Sequence, residues 1–193
     1  MARPRPVEPR PRTPRLARSL AKLAIAAALL ASAAPGSARA DPWALVRGGA
    51  YLPTGGLAGA SWEAAPAVAL AAGYDWDHVG AGVEVWYLPT RIPPVVESSA
   101  TPLLATLRLR LPLGVVTPYA FGSAGVAFTR ANVNLVQYTA SAFAGMAGLG
   151  ADFPLGDFTL GLQGGWLWLS PATAVGTFVL DGATVTAHFG VRF

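Results

Sequence analysis

The sequence predicts an all-β fold: an eight-stranded antiparallel up-and-down barrel that crosses a membrane, carried behind a cleavable export signal. Three observations point there. The 193 residues are 53% hydrophobic and only 12% charged, too apolar for an ordinary soluble surface. Downstream of the N-terminal region no apolar run approaches the ~18 residues that mark a membrane helix. From Trp43 onward the chain falls into segments of roughly ten residues in which apolar side chains alternate with polar or small ones.

The first 40 residues form a separate unit. Residues 1–22 are rich in Arg and Pro, and Leu23 to Ala34 is an apolar and small-residue run with Ser32 as its one polar member. Small residues follow at Ala38 and Ala40. This order of charged, apolar and small-residue stretches is that of a secretory signal. The twelve-residue run would make only about 18 Å of helix, short of the ~30 Å hydrocarbon core, which argues against a membrane anchor. The expected division is therefore a signal peptide over 1–40, cleaved behind Ala40, and a barrel domain over 41–193. No Arg-Arg pair marks a twin-arginine signal. The whole-chain net charge of +4 belongs to this leader: from Asp41 onward six basic residues face nine acidic ones, a balance of −3. A nucleic-acid partner therefore loses its support. With no cysteine, disulfides, thiol nucleophiles, thiolate metal sites and a lipoprotein anchor are excluded.

Eight strand segments are expected: Trp43–Leu52, Ala67–Trp76, Val79–Leu88, Thr101–Leu111, Pro118–Phe128, Thr139–Phe153, Phe158–Leu169 and Ala183–Phe193. In the fourth, Leu103, Ala105, Leu107, Leu109 and Leu111 share one face and Thr106, Arg108 and Arg110 the other. In the eighth, Val185, Ala187, Phe189, Val191 and Phe193 oppose Thr184, Thr186, His188, Gly190 and Arg192. In the third, Val79, Ala81, Val83, Val85 and Tyr87 oppose Gly80, Gly82, Glu84 and Trp86. Successive strand residues point to opposite faces. The second faces carry too little charge to serve as a water-exposed exterior, so the apolar faces are expected to point out to lipid. The links alternate between short (77–78, 112–117, 154–157) and long (53–66, 89–100, 129–138, 170–182), the pattern of short periplasmic turns and longer external loops. Two aromatic belts are expected. One comprises Trp43, Tyr74, Trp76, Tyr119, Phe121, Phe153, Phe158, Phe189 and Phe193, and the other Tyr51, Trp86, Tyr87, Phe128, Phe143, Trp166 and Trp168.

The closing residues Thr186-Ala187-His188-Phe189-Gly190-Val191-Arg192-Phe193 resemble the C-terminal signature of bacterial outer-membrane barrels. Residues Thr117 to Val126 and Gly148-Leu149-Gly150-Ala151-Asp152-Phe153 are similar to strand phrases of the small OmpA/OmpX-like and OmpW-like barrel domains. The resemblance spans residues 41–193 and implies a Gram-negative outer-membrane location and a lipid environment. It also implies that Phe189, Val191 and Phe193 are read by the barrel-assembly machinery; because the sequence ends at the last strand, no second, peptidoglycan-binding domain of the kind some relatives carry is expected.

Within strands, Glu84, Arg108 and Arg110, joined by Arg47, His188, Arg192 and Asp75, are the expected inward charges. Buried charges in a narrow lumen must be paired, so a closed lumen network is expected ahead of a gate or polar conduit. No enzyme is expected: His188 is followed by Phe189 and Gly190 rather than by a serine, and His78 sits in a tight turn with no recognisable nucleophile near it. No cofactor or metal is expected. Gly55-Gly56 and Gly164-Gly165 lack the strand-to-helix setting of a phosphate loop and read as loops or close-packed strands. The leading expectation is a non-enzymatic outer-membrane barrel, structural or an interaction platform using its external loops, whose partner the sequence does not name. A narrow channel for small apolar solutes and a soluble periplasmic carrier are the alternatives. Expression of the precursor in a Gram-negative host should yield an outer-membrane band that lacks residues 1–40 and changes gel mobility on boiling; recovery as a soluble periplasmic protein would reverse the assignment of faces.

Overall fold

The computed structural model describes residues 40–193 except 55, 58, 59, 62, 93–95, 134, 135, 174, 175 and 178. The expected leader over 1–40, with Ala38, lies outside the described residues apart from Ala40. Eight strands close a barrel: β1 (Asp41–Pro53), β2 (Ala65–Trp76), β3 (Val79–Ile92), β4 (Val96–Arg110), β5 (Thr117–Val133), β6 (Val136–Leu155), β7 (Phe158–Leu169) and β8 (Gly182–Arg192). Each strand pairs antiparallel with its neighbours in sequence. The ring is completed by β1 against β8, in a register running from Trp43↔Arg192 to Pro53↔Gly182. Closure leaves no open sheet edge in the wall, the condition for strands in lipid.

Antiparallel partners in direct register share a face, so one outward residue fixes the orientation of the whole ring. On β4, Leu107 and Leu109 are 63% and 66% exposed while Thr106 and Arg108 are 3% and 2% exposed. The alternation continues on β8, where Val185 and Phe189 face out and Thr184, Thr186 and His188 face in. The carrier alternative, which needed the Leu103 to Leu111 face inward, does not fit this orientation.

Both ends of the barrel domain lie with the tight turns. Asp41 pairs with Asp75 beside the Asp77–His78 turn, and Arg192 N–H donates to Asp157 O (2.8 Å) at the turn joining β6 and β7. Gly114 and Gly156 take φ of +83° and +66°, a left-handed conformation that disfavours any side chain.

The other end differs from expectation. The spans 89–100 and 129–138 are largely strand: β3 and β4 stay paired to Ile92↔Val96, and β5 and β6 to Val133↔Val136. Among the described residues of the other two long links, short ladders form, Gly56–Leu57 with Ala60–Ser61 and Ala172–Thr173 with Gly176–Thr177. The reason lies in the outward positions beyond the apolar band. On β5 the series Ala124, Val126, Phe128 gives way to Arg130 and Asn132; on β6, Phe143 is preceded by Ser141, Thr139 and Gln137. With polar residues outside as well, the alternation that signals a half-buried strand fades, although the ladder continues.

The belts are also smaller than expected. Tyr74, Trp76, Phe153, Phe158, Phe189 and Phe193 ring the turn end, with Phe158 stacked on Phe189 (centroids 5.6 Å), while Tyr87, Phe128, Phe143, Trp166 and Trp168 ring the other. Trp43, Tyr51, Trp86, Tyr119 and Phe121 instead point inward and are buried. Their strand parity places them there: Trp43 and Tyr51 share the face of Arg47, and Tyr119 and Phe121 that of Ser123. Leu107 sits mid-way along the apolar face of β4. Leu107→Arg should therefore cost about 2–4 kcal/mol in unfolding titrations from lipid vesicles, whereas no comparable loss would place that face away from the bilayer.

Candidate functional site

The inner faces of the eight strands converge on a lumen with two chemically different halves. Toward the long links it is a hydrophobic core in which Trp86, Leu88, Leu104, Met146, Leu167 and Leu169 are all essentially inaccessible. Leu180, just before β8, closes this stopper. Its N–H donates to Leu169 O (2.8 Å), its carbonyl accepts from the Tyr51 hydroxyl, and Asp181 Oδ1 accepts from Leu169 N–H (2.6 Å). This apolar half departs from the sequence expectation of a polar or small-residue interior throughout.

Below the stopper lies the first ion pair. Glu84 Oε2 accepts from Arg47 Nη1 and from Trp86 Nε1 (3.0 Å), and Oε1 from Thr106 Oγ1 (2.6 Å), which is itself bonded to Ser123 Oγ (2.8 Å). Glu84 and Arg47 are each 1% exposed. Several donors on one buried carboxylate, including a guanidinium, provide the compensation that a charge in low dielectric requires.

Nearer the turn end, Asp152 is the hub. His188 Nε2 lies 2.8 Å from Asp152 Oδ1, while Arg108 Nη1 and Arg192 Nη2 each stand 3.9 Å from Oδ2. Arg110 Nη1 pairs with Asp75 Oδ2 at 2.9 Å. The Arg108 guanidinium lies over the Trp43 ring at 3.9 Å and 5.4 Å from that of Tyr119, whose hydroxyl donates to Gln163 Oε1 (3.1 Å). Cation–π attraction of this kind strengthens when both partners are desolvated.

The large inward rings fit because glycines on facing strands leave room. A Cβ on Gly148 or Gly165 would come within 2.8–2.9 Å of Phe121, and one on Gly73 or Gly82 within 2.7–2.9 Å of Trp43. Gly164-Gly165, for which the sequence allows a loop or a close-packed strand, lies inside β7.

Of the residues expected inside, the structure brings Arg47 to Glu84, sets Arg110 apart on Asp75, and gathers Arg108, His188 and Arg192 around Asp152. Asp152 corrects the expected set of inward charges, which omits it. Its place is readable from Leu149 and Phe153, whose outward positions put 152 inside. Tyr119, Gln163 and Trp43 are further lumen residues that the sequence expectation misses. Among the described residues no group of three His, Cys, Asp or Glu could hold a metal ion.

A closed eight-stranded barrel, apolar outside and charge-paired inside, is the architecture of an integral outer-membrane protein. The chain belongs to the outer membrane protein beta-barrel domain family, whose model matches residues 23–193; it is a bacterial outer-membrane protein of a non-enzymatic barrel family. Among solved structures it is similar to Neisserial surface protein A (13% identity, TM-score 0.64, covering 79% of this chain and 97% of that one). It is also similar to Ail, the attachment invasion locus protein of Yersinia pestis (12%, TM-score 0.51, 80% and 98%). A major outer membrane protein from Thermus thermophilus aligns at 12% identity with a TM-score of 0.50, over 80% of this chain and 100% of that one. No curated protein matches the chain in sequence.

Removing one partner of a buried ion pair strands the other. Glu84→Ala should therefore lower stability by about 3–5 kcal/mol, and the double variant Arg47→Met, Glu84→Leu should recover most of that loss. Urea unfolding from vesicles checks both; additive losses would show that the two residues are not energetically coupled.

Proposed function

We propose that this outer-membrane protein is a non-conducting barrel that serves as an interaction platform, presenting to the exterior the β-sheet wall formed by the ends of β3, β4, β5 and β6. One observation carries the reading. A tilted membrane strand needs about 9–11 residues, yet β5 has 17 and β6 has 20. At ~3.3 Å per residue β6 is about 66 Å long, so much of it stands clear of the bilayer. Beyond the belt at Tyr87, Phe128 and Phe143, the outward residues Arg91, Glu97, Arg130, Asn132, Gln137 and Thr139 suit water. An exposed ion pair from Arg91 Nε to Glu63 (2.6 Å), with Glu63 N–H donating to Arg91 O (3.1 Å), ties the first external link to the edge of this wall.

The packed stopper and the Arg47–Glu84 pair fill the lumen cross-section, which favours a platform over a channel for apolar solutes. The lumen group of Glu84, Arg108, Arg110, Arg47, His188 and Arg192, completed by Asp75 and Asp152, acts on this reading as an internal brace. The export signal is cleaved behind Ala40, and Phe189, Val191 and Phe193 at the end of β8 engage the assembly machinery. Phe193 supports that role: it stands exposed at the rim, its N–H bonded to Pro42 O (3.0 Å).

Two measurements test the platform. Purified protein in planar bilayers should show no conductance steps. On intact cells, single cysteines at Arg130 and Thr139 should react with an impermeant maleimide while those at Val126 and Leu149 stay protected. Steady unit conductance, or protection of positions 130 and 139, would contradict the reading.

A further inference from the structure

We infer that the link between β4 and β5 is a membrane anchor: Leu111, Leu113 and Val115 sit in the headgroup zone of the leaflet at the turn end, with phospholipid as their partner, instead of standing in water. Val115 is 83% exposed, the most exposed large apolar side chain among the described residues, and Leu111 and Leu113 are each more than half exposed. They prolong the lipid-facing side of β4 without a break, since the outward Leu107 and Leu109 lead directly into Leu111. A tilted strand crosses the hydrocarbon core in about 9–11 residues, and Leu103 to Leu111 already supplies nine. Leu113 and Val115 therefore lie past the hydrocarbon, within the headgroup layers that bring the bilayer to about 40–45 Å.

Backbone bonds hold these side chains in place. Arg110 N–H donates to His78 O (2.8 Å), Leu111 N–H to Pro118 O (2.9 Å) and Leu113 N–H to Val116 O (2.9 Å), and Gly114 with its positive φ makes the bend. The first of these bonds sets the end of β4 beside the Asp77–His78 turn, so residues 111–116 run on past the point where β2 turns back into β3. On the other flank β6 continues from Asp152, the partner of Thr117, to Leu155, and turns Phe153 and Leu155 outward beside the link.

Two further features of this rim identify lipid as the partner. Residues 111–129 contain no Asp, Glu, Lys, Arg or His, whereas the other two tight turns carry Asp77, His78 and Asp157, and Asp41 stands exposed at the start of β1. One sector of the rim is thus apolar and the rest acidic. The aromatic ring at this end draws on β2, β6, β7, β8 and the terminal Phe193, while β4 and β5 contribute nothing to it because Tyr119 and Phe121 point inward. Leu113 and Val115 fill that gap at the interface. A continuous apolar patch is costly to leave in water, and interfacial anchors set how a membrane-spanning segment leans. With the apolar sector held in the leaflet and the acidic sector in water, the β4–β5 side is drawn toward the bilayer, which raises the opposite ends of these strands, part of the proposed external wall.

Single cysteines at Leu109, Leu113, Val115 and Asp77, each carrying bimane, test this in phosphatidylcholine vesicles that contain a headgroup-spin-labelled lipid, and in isolated outer membranes. Labels at 113 and 115 should be strongly quenched by the spin-labelled lipid and quenched several-fold less by aqueous iodide than the label at 77. In the double variant Leu113→Asp, Val115→Asp, whose folding the heat-dependent gel shift checks, the label at 109 should move measurably toward the headgroups. Iodide quenching at 113 and 115 equal to that at 77 would overturn the anchor. Protection from both quenchers in vesicles would assign the turn to a contact between copies of this chain, and protection from iodide in outer membranes alone would assign it to another envelope protein; either contradicts a lipid partner. An unmoved label at 109 in the folded double variant would show that the turn does not seat the barrel.

Discussion

Every backbone N–H and C=O in a bilayer must find its partner within the protein, and the structure follows from that constraint. A sheet can meet it only by closing on itself, which β1 and β8 accomplish. Closure divides each strand into a lipid face and a lumen face with a period of two. It also encloses, in an eight-stranded ring, a space narrow enough to be filled by side chains. The lumen is then as selective as any protein core: rings enter where glycines face them, and charges enter in pairs.

The two halves of that interior solve the filling problem differently. Toward the exterior, leucines, Met146, Trp86 and Leu180 form a packed apolar stopper held by the Tyr51 and Asp181 hydrogen bonds. Toward the turn end, carboxylates and guanidiniums form a polar floor centred on Asp152. On the proposed reading, both halves obstruct passage. On the same reading the lumen serves as a brace, and the surface proposed to meet other molecules is the wall that β3 to β6 raise beyond the aromatic belt.

Legibility in the sequence varies from strand to strand for physical reasons. On β4 and β8 one face is Leu, Val or Phe and the other is charged or hydroxylated, so orientation and the inward Arg108, Arg110 and His188 can be read directly. On β6 small Ala and Gly residues dominate both faces, the contrast that reveals orientation is weak, and Asp152 escapes notice. Aromatics are ambiguous in another way, since lipid interfaces and a narrow lumen both accept them; Trp43, Tyr119 and Phe121 can be placed only by strand parity and facing glycines. The extensions of β3 to β6 read as loops because, once both faces meet polar surroundings, the alternation that reveals a strand is lost while its hydrogen bonds persist.

Closure in lipid sets an apolar exterior against a packed, charge-paired interior. The chain has no cysteine, so a nitroxide scan can read this directly, with single cysteines placed in turn at positions 103 to 110 of β4 and spin-labelled in vesicles. Collision with dissolved oxygen should alternate with a period of two, high at 103, 105, 107 and 109 and low at 104, 106, 108 and 110. Mobility of the inward labels should be restricted by the filled lumen. A flat profile, an inverted one, or high collision rates with a water-soluble nickel complex at the inward positions would contradict this arrangement of faces.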